Sequence, residues 1–258
     1  MPRYVLDLEL DGRAFAGTQW QKDQRTVQAE LYRAIETLDG QRRHVRLASR
    51  LDSGVDAKHL PCDVELDRDW EPGVLCQAVT GLLPPDLAVR RAARVAGNFN
   101  AISDAVGKTY RYRIVLRPIR PVRAARHWWL RRLDHPEFLQ PCADLLVGAH
   151  DLSGFANLRH DETDTKDAVR RIDSAIWTIN SEDLIFHIRG AGFLYRQVRG
   201  FVGAMATIAT GRRPMADFIA CCRDGRHAIK VGNVAPAEGL CLEEVRYSPE
   251  PAWVAATS

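Results

Sequence analysis

The 258-residue sequence has six cysteines, at 62, 76, 142, 221, 222 and 241, yet no C-x-x-C pair. No histidine stands at zinc-site spacing from them, so no metal site is expected and the thiols read as reduced, buried small hydrophobes. No stretch is apolar for the length a membrane-spanning helix needs. The opening Met1-Pro2-Arg3-Tyr4-Val5-Leu6-Asp7 lacks the apolar core of a secretory signal, so a cytoplasmic protein without membrane attachment is the expectation. Lysine is scarce, 5 against 31 arginines, which suits forked contacts to phosphate but also follows from a GC-rich genome. Acids are missing from one long segment: Lys108 to Arg132 holds nine cationic side chains and no carboxylate, with Trp128, Trp129 and two tyrosines among them. A basic run interleaved with aromatics points to RNA.

With 46% apolar and 27% charged residues, the balance is that of a folded globular chain long enough for two α/β domains. Tyr4 to Leu10 alternates as a half-buried strand, and Gly12 and Gly17 bracket the loop after it. Apolar positions from Val27 recur at helical spacing, with Thr26 as N-cap and Gly40 as the stop. A short strand at Val45 to Ala48 leads into the loop Ser49 to Asp56, with another apolar stretch near Val64. The pattern then predicts a helix at Leu75 to Leu83 and a strand at Leu87 to Val95, an order that fits a ferredoxin-like unit. The second half predicts a strand at Thr109 to Leu116, with Tyr110, Tyr112, Ile114 and Leu116 on one face and Arg111 and Arg113 on the other. There follow a helix near Glu137 to Leu146, strands at Val169 to Ile179 and Leu184 to Arg189, a long helix from Phe193, a helix at Met215 to Cys222 and a strand at Leu240 to Tyr247. The expected division is residues 1–105, residues 106–247 with the basic RNA-binding segment, and a loose tail at 248–258.

Asp52, in Ser49-Arg50-Leu51-Asp52-Ser53-Gly54-Val55-Asp56, sits where a strand gives way to a turn, and Gly54 lets the backbone bend sharply beyond it. Locally this is also the pattern of an Asx-turn. Asp-Ser-Gly matches the aspartic protease signature too, but that chemistry needs a second carboxylate from a partner, and Arg50 would oppose a shared proton. Gly190-Ala191-Gly192 opens a helix as a dinucleotide site does, although Tyr195 is too large for the third small position. Arg199 lies just off the apolar stripe of that helix. Gly192 and Gly203 on its side permit close approach of another backbone, and Asp52 is a candidate partner for its charge. His160, Asp161, Glu162, Asp164 and Asp167 read as a solvated acidic loop rather than a cation site, since the calcium-loop glycine is absent.

Together these pieces resemble the TruA family of tRNA pseudouridine synthases from about Tyr4 to Tyr247. Leu10-Asp11-Gly12-Arg13-Ala14-Phe15-Ala16-Gly17 echoes the family's Y-D-G-x-x-[FY]-x-G loop, and Thr26-Val27-Gln28-Ala29-Glu30-Leu31 its S-V-Q-x-x-L helix start. The signature G-R-T-D-x-G-V-H is matched at Arg50, Asp52, Gly54 and Val55. Phe99-Asn100-Ala101 with Lys108 to Tyr112, Gly192 to Arg199 and Glu238-Gly239-Leu240-Cys241-Leu242 resemble further family stretches. Ser49, Leu51 and Asp56 depart from the signature, and Ile102 stands where the family has arginine or lysine.

The resemblance implies an α/β (α+β) pseudouridine synthase fold of two ferredoxin-like subdomains with mainly antiparallel sheets. It also implies isomerisation of uridine in tRNA, in the anticodon stem-loop, by a homodimer that needs no metal or redox cofactor. Asp52 would be the nucleophile or the base of an elimination, Tyr110 the platform under the flipped uracil, and Arg199 the cation that holds Asp52 ionised. Arg50, Arg111, Arg117, Arg120, Arg123 and Arg196 would contact RNA. The alternative is an RNA-binding protein of the same fold with impaired catalysis.

Overall fold

The computed structural model describes residues 1–122, 126–157, 168–225 and 230–256. In chain order the first half runs β1 (Arg3–Leu10), α1 (Val27–Asp39), β2 (Arg46–Leu47), β3 (Asp56–Glu65), α2 (Pro72–Leu82) and β4 (Leu87–Val95). The second half runs β5 (Ala105–Leu116), β6 (Trp128–Leu130), α3 (Leu139–Asp144), β7 (Gly148–Asp151), β8 (Val169–Asn180) and β9 (Asp183–Gly190). It ends with α4 (Gln197–Ala209), α5 (Met215–Asp224), β10 (Leu240–Tyr247) and β11 (Val254–Ala255). Two compact units result: Met1–Val106 with Cys241–Ser258, and Gly107–Leu240. Both are α+β with mainly antiparallel strands, as the sequence implies.

In the first unit the caps behave as the sequence predicts. The Thr26 hydroxyl accepts from the Ala29 N–H at 3.2 Å, and Gly40 ends α1 at φ 76°. β4, β1 and β3 pair antiparallel, and β1 is buried on both faces from Tyr4 to Leu8 rather than half-buried as expected, because Asp7, opposite the face of Leu6, Leu8 and Leu10, is covered by Arg91 and His59, each at 2.7 Å. Two strands share the other edge of β3. β2 pairs antiparallel with its far half, Arg46 against Asp63, and β10 pairs parallel with its start, Cys241 against Asp56. The segment 48–55 therefore leaves β3 midway along and returns at its first residue.

This pairing corrects the expected boundary at 247. Leu242, Val245 and Tyr247 are buried in the first unit, so the chain from Cys241 onward belongs there and not to the second. The segment after Tyr247 is tied down: Val254 and Ala255 pair with β4, and the Arg91 guanidinium lies 4.4 Å over the Trp253 ring.

In the second unit β5, β9, β8 and β7 are antiparallel neighbours, and β6 lies parallel along β5. Tyr110, Tyr112 and Ile114 are buried opposite Ile188, Phe186 and Leu184. The expected helix from Phe193 begins only at Gln197, because Arg196 takes a left-handed conformation at φ 59°. Helix α3 is likewise shorter than predicted, preceded by a 3-10 turn at Pro136–Phe138. Close backbone approach to α4 occurs at Gly203, as expected, and at Gly200. A Cβ there would lie 1.8 Å from the Asn233 and Phe155 carbonyls respectively, whereas Gly192 faces open space. Among the described residues no helix is long and apolar enough to cross a membrane.

The six cysteines are thiols, and all but the half-buried Cys222 are buried. Burial pushes the thiols up, to about 11 at Cys76 and Cys221 and about 12 at Cys142 and Cys222, against an ordinary value of 9.0. The folded state thus holds these protons more tightly than the unfolded one. Their contribution is intact below pH 9 and is lost as pH rises toward 11–12. Urea midpoints measured from pH 8 to 10.5 should fall, and Cys142→Ala should make the fall shallower. A midpoint independent of pH across that range would contradict this.

Candidate active site

Asp52 is half-buried on the 48–55 segment, between the buried Leu51 and Val55, and Arg50 beside it is exposed. The Val55 N–H donates to the Asp52 carbonyl at 3.2 Å, closing a turn in which Gly54 sits at φ 83°, a conformation open to a residue without Cβ. The loop between β1 and α1 packs against this turn backbone to backbone. A Cβ on Gly12 would meet the Val55 carbonyl at 2.1 Å, and one on Gly17 the Leu51 carbonyl at 2.8 Å.

Polar contacts fasten the two loops together. The Thr18 hydroxyl accepts from the Leu51 N–H at 2.9 Å and donates to the Ser49 carbonyl at 3.4 Å, while the Thr18 N–H reaches the Leu51 carbonyl at 3.2 Å. The Ser53 hydroxyl donates to the Phe15 carbonyl at 3.0 Å, and the Asp56 carboxylate accepts from the Gly12 N–H at 2.8 Å. Asp56, which departs from the family signature, is thus engaged by backbone. Sequence reasoning marked Gly12 and Gly17 as the ends of a loop but missed Thr18, Ser53 and Asp56 as its fastenings. The only signal was a polar residue beside a glycine of each loop, Thr18 after Gly17 and Ser53 and Asp56 around Gly54.

The remaining candidates lie in the second unit. Tyr110, only 6% exposed, meets Phe193 edge-on with ring centroids 5.3 Å apart. The turn carrying Phe193 is fixed by Gln197, fully buried, which accepts from the Leu194 N–H and donates to the Leu152 carbonyl, both at 3.0 Å. Arg199 Nε donates to the Ala235 carbonyl at 2.7 Å, and the Ala235 N–H returns a bond to the Arg199 carbonyl at 3.0 Å. Burial pushes the Tyr112 phenol well above its ordinary range, and the Arg199 charge acts against that shift. The Tyr112 hydroxyl donates to the Pro236 carbonyl at 2.7 Å. Arg196 is exposed at the head of α4, its guanidinium 4.9 Å from the centre of the Tyr195 ring.

The basic run divides by environment. Desolvation pushes the Lys108 ammonium down to about 8. Arg113 pairs with Asp183 at 2.7 Å. Arg117 Nε donates to the Ile119 carbonyl at 2.8 Å, and its other end lies 3.9 Å from Glu182. Arg111 stands opposite His187 on the sheet face away from Tyr110, and Arg120 is exposed. Arg123 and the acidic loop at 160–167 lie outside the described residues. The tryptophans serve packing: Trp129 Nε1 donates to the Arg117 carbonyl at 2.9 Å, and Trp128 meets Tyr112 edge-on.

The Asp52 turn lies in the first unit and the Tyr110 strand in the second. A family profile described as tRNA pseudouridine synthase matches residues 142–248. The chain is 36% identical over 254 residues to tRNA pseudouridine synthase A of Methylobacterium nodulans, covering 98% of each. It is 37% identical to that of Shouchella clausii, covering 100% of this chain and 97% of the relative. With that of Thermus thermophilus it shares 34% identity over 97% of this chain and 98% of the relative. The chain belongs to the tRNA pseudouridine synthase A family.

Proposed function

We propose that this protein isomerises uridine to pseudouridine in tRNA, in the anticodon stem-loop, as a cytoplasmic homodimer. The observation that carries the reading is the fastened Asp52 turn, present in a chain that matches its named relatives from end to end. The reaction breaks the bond between uracil N1 and the ribose C1′, joins C1′ to C5, moves a proton onto N1 and releases the C5 proton. Asp52 is the reacting carboxylate, either attacking C1′ or removing a ribose proton. Tyr110 supports the extruded base and accepts the C5 proton, and Arg199 holds Asp52 ionised. Arg50, Arg111, Arg117, Arg120, Arg123 and Arg196 contact phosphates. The purified protein should release tritium from tRNA labelled at uridine C5. RNA binding without release from any tRNA would instead identify a binding protein that has lost turnover.

Binding has its own test. If about six phosphates are neutralised, log K should fall against log salt with a slope of roughly −4 to −5. Replacing Arg117 and Arg120 together by alanine should flatten the slope. An affinity indifferent to salt would remove the basic run from the interface.

A further inference from the structure

We infer that the 11–18 loop is a clamp that positions Asp52, with Thr18 as the positioning residue at the entry to its turn and Asp56 at the exit. The inference rests on reading Asp52 as the reacting carboxylate. A carboxylate on a connecting segment has to be aimed by whatever holds its backbone. Here Ala48 still donates to the Pro61 carbonyl of β3 at 2.8 Å and Asp56 opens that same strand, so residues 49–55 form the turn strung between two points of one strand. Leu51, immediately before Asp52, offers an apolar side chain and no polar side-chain anchor.

The anchor comes from the facing loop. Thr18, fully buried, occupies the backbone on both sides of Arg50 through the Leu51 N–H and the Ser49 carbonyl, and residues 49 and 51 are themselves each 7% exposed. Water has no access to replace that hydroxyl. On the far side, the Asp56 carboxylate holds the Gly12 N–H, while Gly12 lies so close to Val55 that no side chain fits between. Entry and exit of the turn are therefore gripped by one short loop, and Ser53 bonds to the middle of that loop. Thr18 and Asp56 are positioning residues: they touch no substrate themselves and act through the Asp52 turn that they hold.

Pseudouridine formation on tRNA by the full-length protein tests this with Thr18→Val, Thr18→Ser, Asp56→Ala, Asp56→Asn and Asp52→Asn. Valine keeps the shape of threonine and removes only the hydroxyl. Because an error of about 1 Å in a reacting group costs up to about 100-fold, Thr18→Val should lower kcat by about 10- to 100-fold. KM for tRNA should stay within about twofold, since Arg50, the one proposed phosphate contact on the turn, is exposed and reaches out on a long flexible side chain that absorbs a small backbone shift, and Thr18→Ser should recover most of the loss. If Thr18→Val does not fold, the Asp56 pair reads the same clamp from the other end: alanine should lower kcat, and asparagine, whose carbonyl still accepts from Gly12, should restore it. Wild-type kcat in Thr18→Val overturns the inference, as does an equal loss in the serine variant or a loss carried by KM. Full activity in Asp52→Asn would sink the parent reading instead, which keeps the two failures distinct.

Discussion

Asp52→Asn is expected to lower the rate of tritium release from labelled tRNA by at least about 10³-fold at equal RNA occupancy, some 4 kcal/mol of transition-state stabilisation. Asparagine matches the carboxylate in size but is neither a nucleophile toward C1′ nor a base toward a ribose proton, so both routes close at once. The contacts that shape the turn run through Thr18 with Ser49 and Leu51, Ser53 with Phe15, and Asp56 with Gly12. Its backbone should therefore survive the substitution. Magnitude separates this result from the positioning effects, which stop near 100-fold. Release by the asparagine variant within tenfold of the native protein would remove Asp52 from the chemistry.

Asp63→Ala is expected to cost about 3 kcal/mol of stability. The Asp63 carboxylate, 1% exposed, accepts from Arg3 Nη1 at 2.7 Å, from Arg46 Nη2 at 2.5 Å and from the Ala101 N–H at 2.8 Å. Removing it leaves two partly buried guanidinium groups and a buried backbone donor facing a void. Both arginines keep some access to water, at 14% and 26% side-chain exposure, and Arg3 retains Glu65, which holds the estimate to the lower end for a broken pair. Asp63→Asn keeps an acceptor for Ala101 and should lose clearly less. Equal losses for the two variants would mean that charge, not the bond to Ala101, dominates. A loss under about 1 kcal/mol would place the network among ordinary surface pairs. The same carboxylate ties β3 to the 99–101 stretch, where Arg46 also reaches the Phe99 carbonyl at 2.9 Å.

The sequence was most legible where side chains carry a period or a cap. α1 stands as read with its Thr26 and Gly40 signals, whereas β1 forms where the alternation put it but is buried on both faces from Tyr4 to Leu8 rather than half-buried. It was least legible where partners are distant. β6, β7 and β11 are short strands of two to four residues whose existence depends on neighbours far along the chain. Nothing in Leu240 to Tyr247 says which unit it joins, because a buried strand looks the same against either edge. The start of α4 was misread because Phe193 and Leu194 continue the apolar spacing, whereas the left-handed Arg196 is a backbone property with no apolar signal.

The candidate site divides the same way. Locally Asp52 is indistinguishable from an aspartate in an Asx-turn, and it stands out only through the order of motifs along the whole chain. Thr18 and Asp56 were invisible because a hydroxyl and a carboxylate in loops look solvated until the opposing backbone is in place. The basic run is uniform in the sequence, and its members differ in environment. Lys108 is desolvated, Arg113 is spoken for by Asp183, and the part-buried tryptophans are engaged by the Arg117 carbonyl and the Tyr112 ring.

The return of β10 and β11 to the first unit sets an order of events during synthesis. Residues 107–240 leave the ribosome as one uninterrupted stretch and can pair β5, β9, β8 and β7 with one another as soon as they are out, since domains fold as units on emergence. The first unit, although begun earlier, must wait with the start of β3 and the outer edge of β4 uncovered until the final strands appear. Throughout that interval the carboxyl-bearing turn borders an open strand edge, so the half of the molecule made first is the half finished last.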